Sequence, residues 1–449
     1  MTIAIIGGGI TGISAALEAH RLGAEVHLFE ASDSLGGKIA EVELDGRMLP
    51  AAPDNFLARR PEMADLAISL GFESELTSPA VGSPRIYRET KLYPLPPNVL
   101  GIPATAELAP GLLSADGISR LAEDLDADGP TPTDDESAGA LVRRRLGDEA
   151  LEYLVDPLLG GINAGDSDRL SITSGVPQLA VLRDRDPSLI KAAAATLGTR
   201  PANPGPVFRS VRGGLKRLVD VAQDQLVTGG AQLHLDSATN IAQDGETWAI
   251  DDASSTLLAD RLIVTTPAFT TASLVAGFAP EAATALNSIE YSSVALCLLI
   301  LPPDSIFIEP SISGVLVPRQ EGLHVTAVSF ASRKWPELAP DGEQILRVSV
   351  GRRTHTSWQD LSDEELTATV RSDLAQIFQT EVPSGPSRVV RWSRSLPQYD
   401  VGHSDKIRAI DTTTAELSGI ALTGAWRDGL GLPACAGAGK HAAQHVLGT

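Results

Sequence analysis

The sequence predicts an α/β protein: a Rossmann-like nucleotide-binding domain assembled from discontinuous stretches, with an inserted α+β domain and a small helical domain. Three observations carry this reading. Residues 3–30 read as a strand, a glycine turn, a helix and a second strand. Residues 213–265 return to alternating helix and strand, and residues 419–447 run from an apolar strand through another glycine turn into an alanine-rich helix. A length of 449 residues is too great for one core, so further domains should lie between these stretches.

The first unit is the most informative. Ile3–Ile6 is a run of β-branched and small apolar residues, as a strand buried on both faces requires. Gly7, Gly9 and Gly12 then give G-x-G-x-x-G between strand and helix. The first glycine permits a tight turn, the second lets a pyrophosphate reach the backbone, and the third lets helix and strand pack closely. Helix N-terminal amides would face the phosphates. Glu30 ends the second strand, 18 residues after Gly12, where its carboxylate can accept from ribose hydroxyls and disfavours a 2′-phosphate. A dinucleotide is expected here.

The stretch "ASDSLGGKIAEVELDG" decides which one. Nicotinamide enzymes have no need of a second glycine turn such as Gly36–Gly37. An extended FAD does, because its pyrophosphate and ribityl pass a second length of backbone, and Lys38 can neutralise phosphate charge there. Together with the glycine turn at 429–431, the doublet moves the expectation from NAD to FAD.

Along the rest of the chain, Pro61 and Gly71 bracket a capped helix. "PRIYRETKLYPLPP" alternates around "RETK" and reads as a hairpin leading into a proline-stiffened crossing. Residues 104–135 are acidic and end in the surface linker "DADGPTPTDDES"; residues 137–171 read as two helices and a Gly-rich turn; "GTRPANPGP" marks a boundary. A strand around Gln232–Leu235, a hairpin and the strand Arg261–Thr265 follow a helix that begins near Gly214. Residues 291–301, 312–317, 324–330 and 344–350 read as strands of a second sheet, and Asp363–Phe378 as a helix. The expected division is a nucleotide domain of 1–50, 207–270 and 408–449, a substrate domain of 51–95, 176–206 and 271–407, and a helical domain of 96–175.

Composition excludes several functions. A formal charge of −21 argues against nucleic acid and against a broad basic face for anionic lipid. The longest apolar run, Val294–Leu301, is far below the ~20 residues of a membrane span. No cationic segment precedes the first apolar one, so a cytoplasmic protein is expected. Cys297 and Cys435 form no C-x-x-C, and no histidine pair has metal-ligand spacing apart from His441 and His445, which read as a solvated helix face. No metal is expected. The absence of G-x-S-x-G leaves a serine hydrolase without support.

The motifs "GGGITG", "LGGKI", "FLARRPE", "LYPLPPNVLGIP", "DPLLGGINAGDSDRLS", "SRKWP", "RWSRSLPQYDVGH" and "GLGLPACAGAGKHAA" occur in order from residue 7 to 443. In them the chain resembles the FAD-dependent coproporphyrinogen III oxidase and protoporphyrinogen oxidase family, in its Gram-positive bacterial form. The resemblance implies that FAD is held by Gly7, Gly8, Gly9, Ile10, Thr11, Gly12, Glu30, Ala31 and Lys38. It adds the segment Ala52, Pro53, Asp54 and Asn55, then Ala238, Trp392 and the turn Gly429, Leu430, Gly431 and Leu432. At that turn, backbone amides and the following helix N-terminus would approach the isoalloxazine. One departure stands out. Where the family writes an acid and a glycine before this segment, the chain has Pro50 and Ala52 in "PAAPDNF".

The implied reaction is the oxygen-dependent six-electron oxidation of coproporphyrinogen III to coproporphyrin III in haem biosynthesis, with FAD accepting hydride and hydrogen peroxide released. The implied partners are the porphyrinogen, dioxygen and transient contacts with other haem-pathway enzymes. A macrocycle with four carboxylates should meet an apolar cavity with cations at its rim. Arg60 is the expected carboxylate contact, with Arg85 the weaker candidate; Ile162 matches a cavity-wall position. Asp54 could steer protons at the pyrrole nitrogens. Protoporphyrinogen IX oxidation stays open as an alternative, as does another flavin amine oxidase, though 4% aromatic residues do not favour an aromatic cage. A non-catalytic flavin-binding partner is kept open by the "PAAP" departure.

Overall fold

The computed structural model describes all residues except 130–133, 200, 202–204, 238 and 253–254. Its centre is a five-stranded, wholly parallel sheet in the order Gln232–His234, Glu25–Phe29, Thr2–Ile6, Arg261–Val264 and Ile420–Leu422. All five strands fall within 1–50, 207–270 and 408–449. The apolar runs reflect burial on both faces. Ile3, Ile5, Val26, Leu28 and Ile263 face one core, whereas Ala4, Ile6, Phe29, Leu262 and Val264 face the other. The first core holds the helices Ile10–Arg21, Leu215–Thr228 and Leu432–Leu447. The second holds Ala268–Val275 and Pro280–Asn287.

The first and last helices touch backbone to backbone. A side chain at Gly439 would overlap the Thr11 carbonyl oxygen, and Ser14 Oγ donates to the Ala436 carbonyl at 2.7 Å.

A seven-stranded sheet stands beside this unit, in the order Ser387–Pro397, Tyr291–Leu301, Gln344–Val350, Val325–Phe330, Ile312–Leu316, Ser83–Arg88 and Lys91–Pro94. Period-two alternation gives it two distinct faces. Cys297, Leu299, Leu346, Val348 and Val315 pack outward against Leu366, Val370 and Leu374 of the helix Asp363–Phe378. Leu298, Ile300 and Ile345 point inward, against Leu44 and Leu49 of the hairpin Glu41–Leu44 and Arg47–Pro50.

The helical part departs from expectation twice. Gly160 and Gly161 belong to the helix Asp156–Asn163, which continues from a wide-wound turn at Leu151–Val155, instead of forming a turn. The reason is distant in sequence: a Cβ on Gly160 would lie 2.5 Å from Arg352 Nη1. Arg352 in turn pairs with buried Asp156 at 2.9 Å. Second, the helices Pro177–Arg185 and Leu189–Gly198 share a core with Leu141, Leu151 and Leu159. Residues 176–198 thus pack with the helical part, not with the large sheet.

Candidate cofactor and substrate site

The glycines at the first strand–helix turn have separable physical reasons. Gly7 has φ +107°, and a Cβ there would lie 2.7 Å from Thr265 Oγ1, which donates to the Gly7 carbonyl at 2.9 Å. At Gly12 a Cβ would overlap the Gly7 carbonyl oxygen. Gly9 is different, because nothing lies within 4 Å of its Cβ position. No protein atom demands a glycine there; the space is an open cradle that a side chain would fill.

Glu30 reaches back under this turn. Its Oε2 accepts from the Gly8 amide at 2.7 Å, and its Oε1 accepts from the Ser32 amide and hydroxyl at 2.9 and 2.8 Å. The second doublet packs directly on the first turn: the Gly36 amide donates to the Gly8 carbonyl at 2.9 Å, and the Gly37 Cβ position is 3.3 Å from Gly9 Cα. Ala31 is exposed beside them. Lys38 is half-buried and has no hydrogen-bond or ion-pair partner among the described residues; burial lowers its pKa. An unpaired lysine next to two glycine turns suits a phosphate.

At the other end, Gly429 has φ +121° and donates its amide to Tyr399 Oη at 2.8 Å. Gly431 caps the helix Leu432–Leu447 with no side-chain acceptor for the first-turn amides; Gly9 likewise caps Ile10–Arg21 without one. Leu430 and Leu432 are half-buried around the exposed Gly431. Two uncapped helix N-termini of 12 and 16 residues therefore flank the cradle, as an anionic dinucleotide requires.

The segment after Pro50 is held against the inner face of the large sheet. Trp392 Nε1 donates to the Ala51 carbonyl at 2.9 Å, and Arg347 Nη2 donates to the Ala52 carbonyl. Asp54 Oδ2 lies 2.6 Å from Arg347 Nη1 and 3.1 Å from Lys334 Nζ, and accepts from Trp335 Nε1 at 3.0 Å. Asn55 Nδ2 donates to Asp54 Oδ1 at 2.6 Å, and Pro53 is half-buried between these contacts. Burial alone would push the Asp54 carboxyl up, but the two cations and the donated hydrogen bonds hold it well below the usual carboxylate range. These contacts tie the segment to the sheet through Asp54.

Beyond this segment the sheet presents a floor. Leu316 pairs with Ala327, Ala327 and Leu296 both pair with Ser349, and Arg347 pairs with Ser329, so these side chains share the inner face. Leu316, Ala327, Ser329, Ser349 and Trp392 are each only partly buried. Ala327, Ser329 and Ser349 place three small, partly exposed side chains in the middle of this face. Beside it is the helix Asp156–Asn163, where the Gly161 Cβ position is 3.9 Å from Leu316 Cδ2 and neighbouring Ile162 is 46% exposed.

Two expected contacts are placed elsewhere. Arg85 pairs in register with Val315, whose side chain packs on the outer face, and its guanidinium bonds Ser83 Oγ at 2.8 Å and Glu309 at 3.3 Å. Period-two alternation thus turns Arg85 away from the inner face of the sheet. Arg60 pairs with Glu62 at 2.5 Å. It lines a groove of about 700 Å³ bounded by Ile420, Asp428, Gly437 and His441, which shares no residue with the floor. Ala238 lies outside the described residues.

Comparison with known proteins decides the family. The flavin containing amine oxidoreductase family matches residues 10–447. The chain is 34% identical to a coproporphyrinogen III oxidase of Bacillus subtilis (strain 168), over 99% of this chain and 97% of that protein. It is 31% identical to the Staphylococcus aureus protein of the same description, over 99% of each. The chain belongs to the coproporphyrinogen III oxidases, within the flavin containing amine oxidoreductases.

Solved structures agree. A protein described as a protoporphyrinogen oxidase from Exiguobacterium sp. 255-15 superposes with a TM-score of 0.88 at 29% identity, covering 100% of this chain and 99% of its own. UDP-galactopyranose mutase shares the fold alone, with a TM-score of 0.76 at 15% identity over 100% and 95% of the chains. The cofactor of this oxidoreductase family member is FAD, and the cradle around Gly9, the uncapped helices and unpaired Lys38 fit it.

The sequence alone did not single out Thr265 and Tyr399, which bond the glycine turns, or Lys334, Trp335 and Arg347, which hold Asp54. Lys334 and Trp335 stand in the "SRKWP" motif and Tyr399 in "LPQYDVGH", so two motifs carried a usable signal. Arg347 lies in an ordinary strand and carried none.

Proposed function

We infer that this protein oxidises coproporphyrinogen III to coproporphyrin III, consuming three molecules of dioxygen and releasing three of hydrogen peroxide per macrocycle. The observation that carries the reading is the partly exposed inner face of the large sheet, with small Ala327, Ser329 and Ser349 at its middle, beside Ala51–Asn55 and near the helix that bears Ile162. A puckered tetrapyrrole needs breadth more than depth, and small residues provide it.

When bound, FAD supplies the hydride acceptor for each two-electron round. Gly7–Gly12, Glu30, Ala31 and Lys38 would hold its pyrophosphate and ribose; Ala52–Asn55, Trp392 and Gly429–Leu432 would border its ring system. Trp392 and Arg347 fix the carbonyls of Ala51 and Ala52, so Pro50 and Ala52 leave the path of that segment defined by side chains of the sheet. No group on the floor is set to move protons, and none is required, because aromatisation drives the reaction and pyrrole protons pass to water. Ile162 and Leu316 orient the macrocycle by contact. We place the reaction in the cytoplasm; among the described residues no helix is long and apolar enough to cross a membrane.

Anaerobic addition of coproporphyrinogen III should bleach the flavin absorbance. Readmitting air should then yield coproporphyrin fluorescence with matching oxygen uptake, at a higher kcat/KM than for protoporphyrinogen IX. Oxidation of neither compound, or preference for the dicarboxylate, defeats the reading. Heat-released cofactor other than FAD defeats its first premise.

A further inference from the structure

Beneath Ala52–Asn55 the chain buries two cations against one carboxylate. The side chains of Asp54, Arg347 and Lys334 are 9%, 10% and 15% exposed. Among the described residues no other carboxylate pairs with either cation. The cluster thus carries one net positive charge where solvent reaches it only sparingly, an arrangement that is costly unless something else offsets it. Arg347 is also short of an acceptor. Its Nη1 faces Asp54 and its Nη2 the Ala52 carbonyl, while Nε is buried with no hydrogen-bond partner. Buried donors are normally satisfied, and an orphan of this kind needs an explanation.

The sheet register supplies one. Arg347 lies in the strand Gln344–Val350, opposite Leu298, and Trp392 lies opposite Val294 two rungs along the same face. Both side chains grip consecutive carbonyls of the flavin-side segment. Trp392 is neutral and only positions. Arg347 positions and brings charge.

We propose that Arg347 is a positioning residue that also sets the local field: it fixes the Ala52 carbonyl beside the flavin and supplies the surplus positive charge that favours the electron-rich, reduced cofactor. This rests on the placing of Ala52–Asn55 beside the ring system in the proposed function. Asp54 is shared by both cations, 2.6 Å from Arg347 and 3.1 Å from Lys334, so the cluster as a whole carries one net positive charge. Loss of either cation leaves a neutral pair and removes the field.

The test is the midpoint potential of the bound FAD, measured by dye equilibration on holoenzyme. Arg347→Gln keeps a donor for the Ala52 carbonyl but removes the charge. It should retain FAD and shift the reduction equilibrium at least tenfold toward the oxidised form, about 30 mV for a two-electron couple. Arg347→Lys should return to within about threefold of wild type, which a purely structural role would not predict for a side chain lacking the planar fork. A flavin-loaded R347Q protein with the wild-type potential overturns the proposal. Should R347Q lose its FAD, Lys334→Met must show the same downward shift, since it leaves the Ala52 contact intact; an unchanged potential there overturns the proposal equally. Wild-type protein without flavin absorbance would defeat the site assignment itself, before any variant is made.

Discussion

The hydroxyl of Tyr399 bridges two backbone groups of the flavin turn, accepting from the Gly429 amide at 2.8 Å and donating to the Ala425 carbonyl at 2.6 Å. Burial holds the phenol pKa well above its ordinary value, so the group stays protonated and can do both at once. Tyr399→Phe leaves a partly buried amide and a partly buried carbonyl without this partner, which costs about 1 kcal/mol. Chemical denaturation should show that loss, and FAD titration of the variant should show weaker binding because the turn is no longer fixed.

Gly9 and Gly12 should separate cofactor binding from folding. Gly9→Ala has free space for its methyl group, and φ −70° suits alanine. The apo protein should keep its stability to within about 0.5 kcal/mol, while FAD affinity falls at least tenfold. Gly12→Ala should instead destabilise the apo protein by about 1–3 kcal/mol or more, since its methyl group overlaps the Gly7 carbonyl. Equal effects of the two changes on melting temperature would contradict this division.

Asp54 gives a pH signature. Its folded pKa is depressed, so its stabilising contribution is complete above the unfolded value of about 3.9 and is lost as pH falls through the folded one. Asp54→Asn strands two buried cations and should cost about 3–5 kcal/mol at pH 7. The gap between variant and wild type should narrow only below about pH 4, and the pH–rate profile between pH 6 and 9 should contain no inflection that the substitution removes.

His403 acts with the opposite charge type but in the same direction. Burial pushes its pKa down to about 4. An unfolded histidine titrates near 6.5, so between about pH 6.5 and 4 the unfolded state binds the extra proton and stability falls as the pH drops. The loss should reach about 2–3 kcal/mol by pH 4. His403→Gln should flatten the stability curve across that window, which urea denaturation at successive pH values would reveal.

Arg60 tests where the substrate's carboxylates sit. Its guanidinium is paired with Glu62 and 46% exposed, in a groove separate from the sheet floor. Exposed pairs of this kind contribute about 0–1 kcal/mol. Arg60→Ala should therefore change KM for coproporphyrinogen III by less than about fivefold; a larger, substrate-selective rise would return Arg60 to the binding site.

Much of the architecture was legible because strands and helices announce themselves locally. The glycine turns at 7–12 and 429–431 mark strand-to-helix junctions, and the hairpin about Glu89–Thr90 marks two paired strands. What was hidden depends on register or on distant partners. Whether Arg85 faces the floor is decided by its pairing with Val315, more than two hundred residues on. Asp54 reads as a free carboxylate until Lys334 and Arg347 are folded onto it. Gly160 and Gly161 look like a turn because the guanidinium that packs on bare Gly160 belongs to distant Arg352. The stretch 176–206 was expected with the substrate domain, whereas its helices at 177–198 pack on the apolar side chains of the helical part.

The contact between Gly439 and Thr11 also bears on biogenesis. At roughly 5–20 residues per second, the ribosome makes the first helix tens of seconds before the last helix that must cover it. Through that interval the glycine- and alanine-rich face of Ile10–Arg21 has no lid, and the edge of the parallel sheet later closed by Ile420–Leu422 stays open. The part of the cradle at Gly9, Glu30 and Gly37 is thus made long before the helix start at Gly431 that completes it, and a chain stalled in between lacks both the last strand of the parallel sheet and the helix that covers the first one.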